Sequence, residues 1–156
     1  MRRAGLLVLT GIAAVALTGA ARAPQAGPRK QIIQPKGSTA LQLPFSPGLL
    51  VGDTLYLSGV IGSDANGQVV SGGFEPEMRQ AFANAQAVLK AAGMDFSDVV
   101  SVTVYLADIK DFPQMNQIYR EHFKAEPLPT RSTVAVKDLV RGARMEITMT
   151  AVRANQ

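Results

Sequence analysis

A small α+β domain, built as a single mixed β-sheet with two helices packed on one face, is the fold this sequence predicts. Three observations lead there. Val100, Val102, Val104 and Leu106 alternate with Ser101, Thr103 and Tyr105, the period-two signature of a half-buried strand. Met78, Phe82, Ala85, Leu89 and Ala92 recur at the alternating three- and four-residue spacing of one helical stripe. Strand-like and helix-like segments follow one another in the order β-β-β-α-β-α-β-β, which one sheet and one helical layer accommodate.

The N-terminus is read first because it distorts the composition. Arg2 and Arg3 precede an apolar run, Leu6–Leu17, interrupted by Thr10 and Gly11, and Ala21-Arg22-Ala23 fits a small-x-small cleavage rule. Residues 1–23 are thus expected to be a signal peptide, and the protein to be exported, periplasmic or secreted. An uncleaved anchor is the alternative, since Ala4–Ala21 reaches the roughly 18 residues a spanning helix needs. The run is rich in Ala, Gly and Thr and ends in a cleavage-like site, which favours removal and leaves no membrane attachment. Leu17-Thr18-Gly19-Ala20 lacks the Cys of a lipoprotein box, and the chain has no Cys at all. Disulfides and thiolate chemistry are therefore excluded. Of the 16 basic residues, Arg2, Arg3 and Arg22 lie in the presequence, leaving 13 against 12 acidic ones. The mature net charge is then +1 rather than +4, too little for a nucleic-acid partner. A single His without Cys argues against a transition-metal site.

Residues 24–30 are Pro/Gly-rich and read as a flexible tail, with the domain spanning 31–156. Gln31–Gln34 reads as a short first strand. Phe45–Leu50 and Thr54–Val60 flank Val51-Gly52-Asp53 as a hairpin. Asn66-Gly67 marks a turn, and Gly72-Gly73 closes a loop before a helix over Glu75–Ala92, with Pro76 in its first turn and Gly93 as its stop. Its Met and Phe stripe is read as core. A second helix over Asp111–Phe123 packs through Met115, Ile118 and Tyr119. Pro127 and Pro129 lead into a strand holding Arg131, and the last strand holds Glu146.

These last two strands carry the candidate chemistry. Val134 and Val136 share one face of the first, and Met145, Ile147 and Met149 share one face of the second. If both apolar faces are buried under one layer, Arg131 and Glu146 project together from the other face, with Thr133, Thr148, Tyr56 and Ser58. A guanidinium beside a carboxylate binds a small carboxylate and activates a water; a structural salt bridge is the alternative. So semi-polar a sheet face predicts oligomerisation, with any pocket at a subunit interface.

Several short segments, taken together in order and spacing, resemble one family. They are Leu57-Ser58-Gly59, Ala91-Ala92-Gly93, Asp98–Tyr105, Asp111-Phe112 with Asn116 and Tyr119, Pro129-Thr130-Arg131-Ser132, Met145-Glu146-Ile147 and Ala151-Val152-Arg153. From about Gln31 to Arg153 the chain resembles the RidA (YjgF) family of reactive-intermediate deaminases. The resemblance implies a chorismate-mutase-like fold and a homotrimer with clefts between subunits. It implies hydrolysis of 2-enamino and 2-imino acids to 2-oxo acids and ammonia, with no metal or organic cofactor. Arg131 matches the arginine gripping the substrate carboxylate, a fork that Lys would not reproduce. Glu146 matches the acid that positions or activates water. Ser58 and Gly59 match the cleft-lining strand, Thr133 a position whose main chain borders the substrate, and Asn116 a helix position near the cleft. Thr133 stands where many relatives have Cys, and Phe45 where many have Tyr. Val60-Ile61-Gly62 departs from the usual run after Gly59. These departures leave the preferred substrate open, and a non-catalytic carboxylate-binding trimer is the alternative. Ribonuclease activity fits poorly with a near-neutral mature domain.

Other candidates are weaker. His122 reads as a surface helix residue without an orienting partner. The glycines between Gly59 and Gly73 lack phosphate-loop spacing. Asp111 reads as a helix cap.

Overall fold

The computed structural model describes residues 27, 29–36 and 44–153. The presequence expected over 1–23 lies outside the described residues, as does most of the 24–30 tail. Strands β1 (Lys30–Ile33), β2 (Gly48–Val51) and β3 (Thr54–Leu57) precede helix α1 (Phe74–Ala91). Strand β4 (Val99–Leu106), helix α2 (Phe112–His122), β5 (Thr130–Ala135) and β6 (Met145–Val152) complete the chain in the predicted order. The sheet runs β1-β2-β3-β6-β4-β5. Among the described residues its only parallel pair is β4 with β5, the two strands joined through α2. An antiparallel neighbour needs only a turn, whereas a parallel one needs a crossover.

Period-two alternation places Met145, Ile147, Met149 and Ala151 of β6 in the core beside Val102, Val104 and Leu106 of β4 and Leu55 and Leu57 of β3. The α1 stripe closes over them: Met78, Phe82, Ala85 and Leu89 are fully buried. Gly93 ends the helix at φ 71°, and the Gly93 and Met94 amides return to the Lys90 and Leu89 carbonyls, a termination that a residue with a Cβ would strain. At the other end of β6, the Arg153 guanidinium donates to the Ala92 carbonyl at 2.8 Å and ties the strand to the helix end.

Two buried carboxylates fix how β6 begins. Glu77, 2 % exposed, accepts from the Arg144 and Met145 amides at 2.8 and 3.2 Å. Asp111 receives the Arg144 guanidinium through both carboxylate oxygens, at 2.8 and 2.9 Å. This corrects the capping role expected of Asp111: it sits at the helix N-terminus without a side-chain cap bond, and Asp108 instead caps the preceding turn through the Lys110 amide. His122 also differs from its expectation as a surface residue. It is half-buried and stacks flat on Phe82, ring centroids 4.1 Å apart and planes 4° apart.

Candidate functional site

Glu146 follows the Met145 amide that Glu77 holds, so its backbone is anchored from the core while its side chain leaves on the open face. It lies beside Tyr105 there. The neighbouring strand is irregular at this point. Tyr56 pairs with Thr150, and Val60 pairs with Ile147. One chain thus advances four residues while the other advances three, the signature of a β-bulge. The spare residue falls at Ser58–Gly59 and brings Gly59 against Glu146. A Cβ on Gly59 would stand 2.0 Å from Glu146 Oε1, so any larger residue there would displace the carboxylate. Ser58 turns inward, its hydroxyl donating to the Ser46 carbonyl at 2.7 Å and its amide to Pro47 at 3.0 Å. Those bonds hold the segment that carries Phe45.

Phe45, Ser58, Gly59 and Glu146 line one cavity of about 1050 Å³, with Asn84 and Arg141. Asn84 of α1 donates to the Ile61 and Ser63 carbonyls at 3.1 and 2.9 Å, fixing the loop that follows the bulge. Four predicted site residues are therefore brought together by one chain.

Arg131 is not among them, which corrects the expectation that it shares a face with Glu146. The register pairs Arg131 with Val102 and Thr133 with Val104, and both valines are core residues under the helices. Neighbours across a ladder share a face, so Arg131 and Thr133 lie on the helical side. Val134, beside Tyr105, is on the open side and 44 % exposed. The expectation failed because β5 is an edge strand: alternation sorts its residues into two faces without saying which one the core covers. The Arg131 guanidinium lies over the Tyr119 ring, 4.5 Å from its centroid, with an Nη1 contact of 3.8 Å to Met115 Sδ. Packing on an aromatic face orients the fork and keeps its charge. Burial pushes the Tyr119 hydroxyl pKa up, and the Arg131 charge opposes that rise. The Thr133 hydroxyl is buried nearby without a protein partner. Asn116 is half-buried on α2, the helical side, and does not line the Glu146 cavity.

Sequence reasoning missed Glu77, Asn84 and Arg141. Glu77 and Asn84 sit within an ordinary amphipathic helix, where spacing gives no sign of a polar anchor. Arg141 carried one usable signal, the following Gly142, which marks a tight turn.

Comparison with known proteins places this arrangement. The family model described as Endoribonuclease L-PSP matches residues 37–153. The chain is 47 % identical over 111 residues to 2-iminobutanoate/2-iminopropanoate deaminase of Homo sapiens, covering 70 % of this chain and 80 % of that protein. The Bos taurus protein of the same name is 44 % identical over 126 residues, 80 % of this chain and 90 % of its own. Among solved structures, RidA from an Antarctic Psychrobacter superposes with a TM-score of 0.72 at 33 % identity, covering 79 % of this chain and 99 % of that one. E. coli TdcF with bound serine gives 0.71 at 29 % identity, covering 80 % and 99 %. With fold, order and sequence in agreement over most of its length, this chain belongs to the endoribonuclease L-PSP family, the RidA (YjgF) proteins.

Proposed function

We propose that this protein hydrolyses 2-imino and 2-enamino acids to 2-oxo acids and ammonia, in clefts formed between copies of the chain. The observation that carries the reading is the division of the site. Glu146 faces a cavity built with Ser58, Gly59 and Phe45, while Arg131 stands on the opposite face of the sheet at its edge. One chain does not bring them together. A cyclic homotrimer does, by setting the β5 edge of one copy against the cavity of the next. The names of the human and bovine relatives support the reaction, and the serine on TdcF supports a small amino-acid-like ligand.

In this cleft Arg131 holds the substrate carboxylate in a two-point grip and orients C2. Glu146 accepts a proton from water as its oxygen bonds to C2 of the imine. That proton passes to the nitrogen to give a carbinolamine, whose hydroxyl proton then moves through Glu146 to the amine as the C2–N bond breaks and the carbonyl forms. One water is consumed and one ammonia released, without oxidation. Gly59 keeps the Glu146 carboxylate uncovered, and Ser58 with Thr133 borders the ligand.

The test is ammonia release from imino acids generated in situ by an amino-acid oxidase, comparing wild type with Arg131→Ala. Acceleration by wild type alone supports the reading; equal rates refute the role of Arg131. Saturable binding of 2-oxo acids without turnover would instead favour a carboxylate-binding trimer, the reading that the serine-bound relative also accommodates. Export rests on the composition of residues 1–23. N-terminal sequencing of protein from the extracytoplasmic fraction is expected to begin at Pro24, and an intact Met1 in a cytoplasmic fraction would overturn export.

A further inference from the structure

Arg141 stands in a backbone conformation that a side chain rarely adopts. Its φ is 59° and ψ 18°, in the turn Val140–Gly142 just before β6. It is the only non-glycine with positive φ among the described residues. An arginine there is strained relative to glycine. That conformation projects the side chain into the Glu146 cavity, which Arg141 lines. One N–H of the guanidinium donates to the Gly67 carbonyl across the cavity wall. Gly67 is itself confined: a Cβ there would meet Arg141 Nη1.

The charge of this arginine is not neutralised locally. No carboxylate lies within ion-pair distance of Arg141 among the described residues, whereas Arg79 and Arg144 are both paired. Besides Glu146, the charged side chains lining the cavity are Lys36 and Asp64. Asp64 Oδ1 is occupied by the Asn66 and Gln68 amides at 2.9 and 2.8 Å. A guanidinium has five N–H donors, and the Gly67 carbonyl takes one. The remaining donors form a planar fork suited to a second carboxylate.

We propose that Arg141 selects substrates carrying a second, distal anionic group: 2-imino acids derived from acidic rather than aliphatic amino acids. This rests on the proposed deaminase reading, with the C1 carboxylate on Arg131 of a neighbouring copy and the distal one on Arg141. It assigns Arg141 to specificity, not to chemistry. The tether to Gly67 then pre-orients the fork before substrate arrives.

The experiment compares two substrates of equal chain length, 2-iminoglutarate and 2-iminopentanoate, each generated in situ from its amino acid. Wild type is expected to favour the dicarboxylic one in kcat/KM by about tenfold or more, the size of one charge-assisted hydrogen-bonded contact. Arg141→Gln retains a donor for Gly67 while removing the charge, and is expected to erase that ratio. Arg141→Lys keeps the charge without the fork and is expected to retain only part of it. A ratio unchanged in Arg141→Gln would show that the residue is a loop tether and overturn the proposal. Calorimetric binding of 2-oxoglutarate and 2-oxopentanoate gives the same ratio without turnover. Preserved discrimination with no catalysis would sink the deaminase reading and leave the Arg141 assignment standing. Turnover without discrimination would do the reverse.

Discussion

Mixing two inactive variants is expected to restore activity, by an amount that the position of the side chains fixes. Under the proposed mechanism, Arg131→Ala removes the carboxylate grip, and Glu146→Gln removes the proton acceptor. Each alone loses a contact made at the reacting group, so a fall of at least a hundredfold in kcat/KM is expected for each. The register puts Arg131 beside Val102 on the helical side and Glu146 beside Tyr105 on the open side. If each cleft takes its arginine from one copy and its glutamate from the next, every mixed trimer holds one cleft with both residues intact. About three quarters of randomly assembled trimers are mixed, so about one quarter of all clefts recover. Co-refolding the variants in equal amounts and measuring ammonia release against wild type reads that fraction directly. Native mass spectrometry verifies the mixed species. Verified mixed trimers with no recovered activity would refute the division of the site between copies.

Gly59→Ala should cost at least tenfold in kcat/KM while the melting temperature moves little, because its Cβ would stand 2.0 Å from Glu146 Oε1 in a half-open cavity; unchanged kinetics would show that the carboxylate swings aside freely. Glu77→Ala strips the Arg144 and Met145 amides of their acceptor in a site 2 % exposed, and should destabilise by about 2–3 kcal/mol in urea unfolding. His122 gives a pH signature. Burial against Phe82 lowers its pKa from the ordinary 6.5, so the unfolded chain binds the proton more readily than the folded one. Stability should therefore decline as pH falls through about 6.5 and level off below the folded pKa. The carboxylates of Asp95 and Glu121 act in the same direction but at more acid pH, since both start from ordinary values of 3.8 and 4.5 and are lowered. His122→Phe, which keeps the ring stack, should flatten the decline between pH 7 and 5; an equal slope in both proteins would assign it elsewhere.

How much was legible in the sequence depended on whether a feature is periodic. The α1 stripe from Met78 to Leu89 and the β6 alternation are repeated signals, and both elements appear where repetition placed them. Glu146 was legible for the same reason: its strand is central, so its apolar face has one possible destination. Arg131 was legible as a residue but not as a position, because alternation on this edge strand does not say which face the core covers and Val134 imitates a core valine. Asp111 and His122 were misjudged because their partners, Arg144 and Phe82, are remote in sequence. Arg141 depends on a single backbone dihedral, and Gly142 beside it marks the turn without saying where the side chain goes.

The spare residue at Ser58–Gly59 separates what the fold requires from what the site requires. A ladder in which one strand is a residue too long can lose that residue and become regular, since Tyr56–Thr150 and Val60–Ile147 would then fall in a single register. Substitution is thus not the only route by which a descendant of this chain loses its chemistry. Deletion of one codon in this short stretch would straighten the strand, leave the helices and core untouched, and withdraw the wall against which Glu146 rests. Its product would purify and melt like its parent and be silent in an ammonia assay.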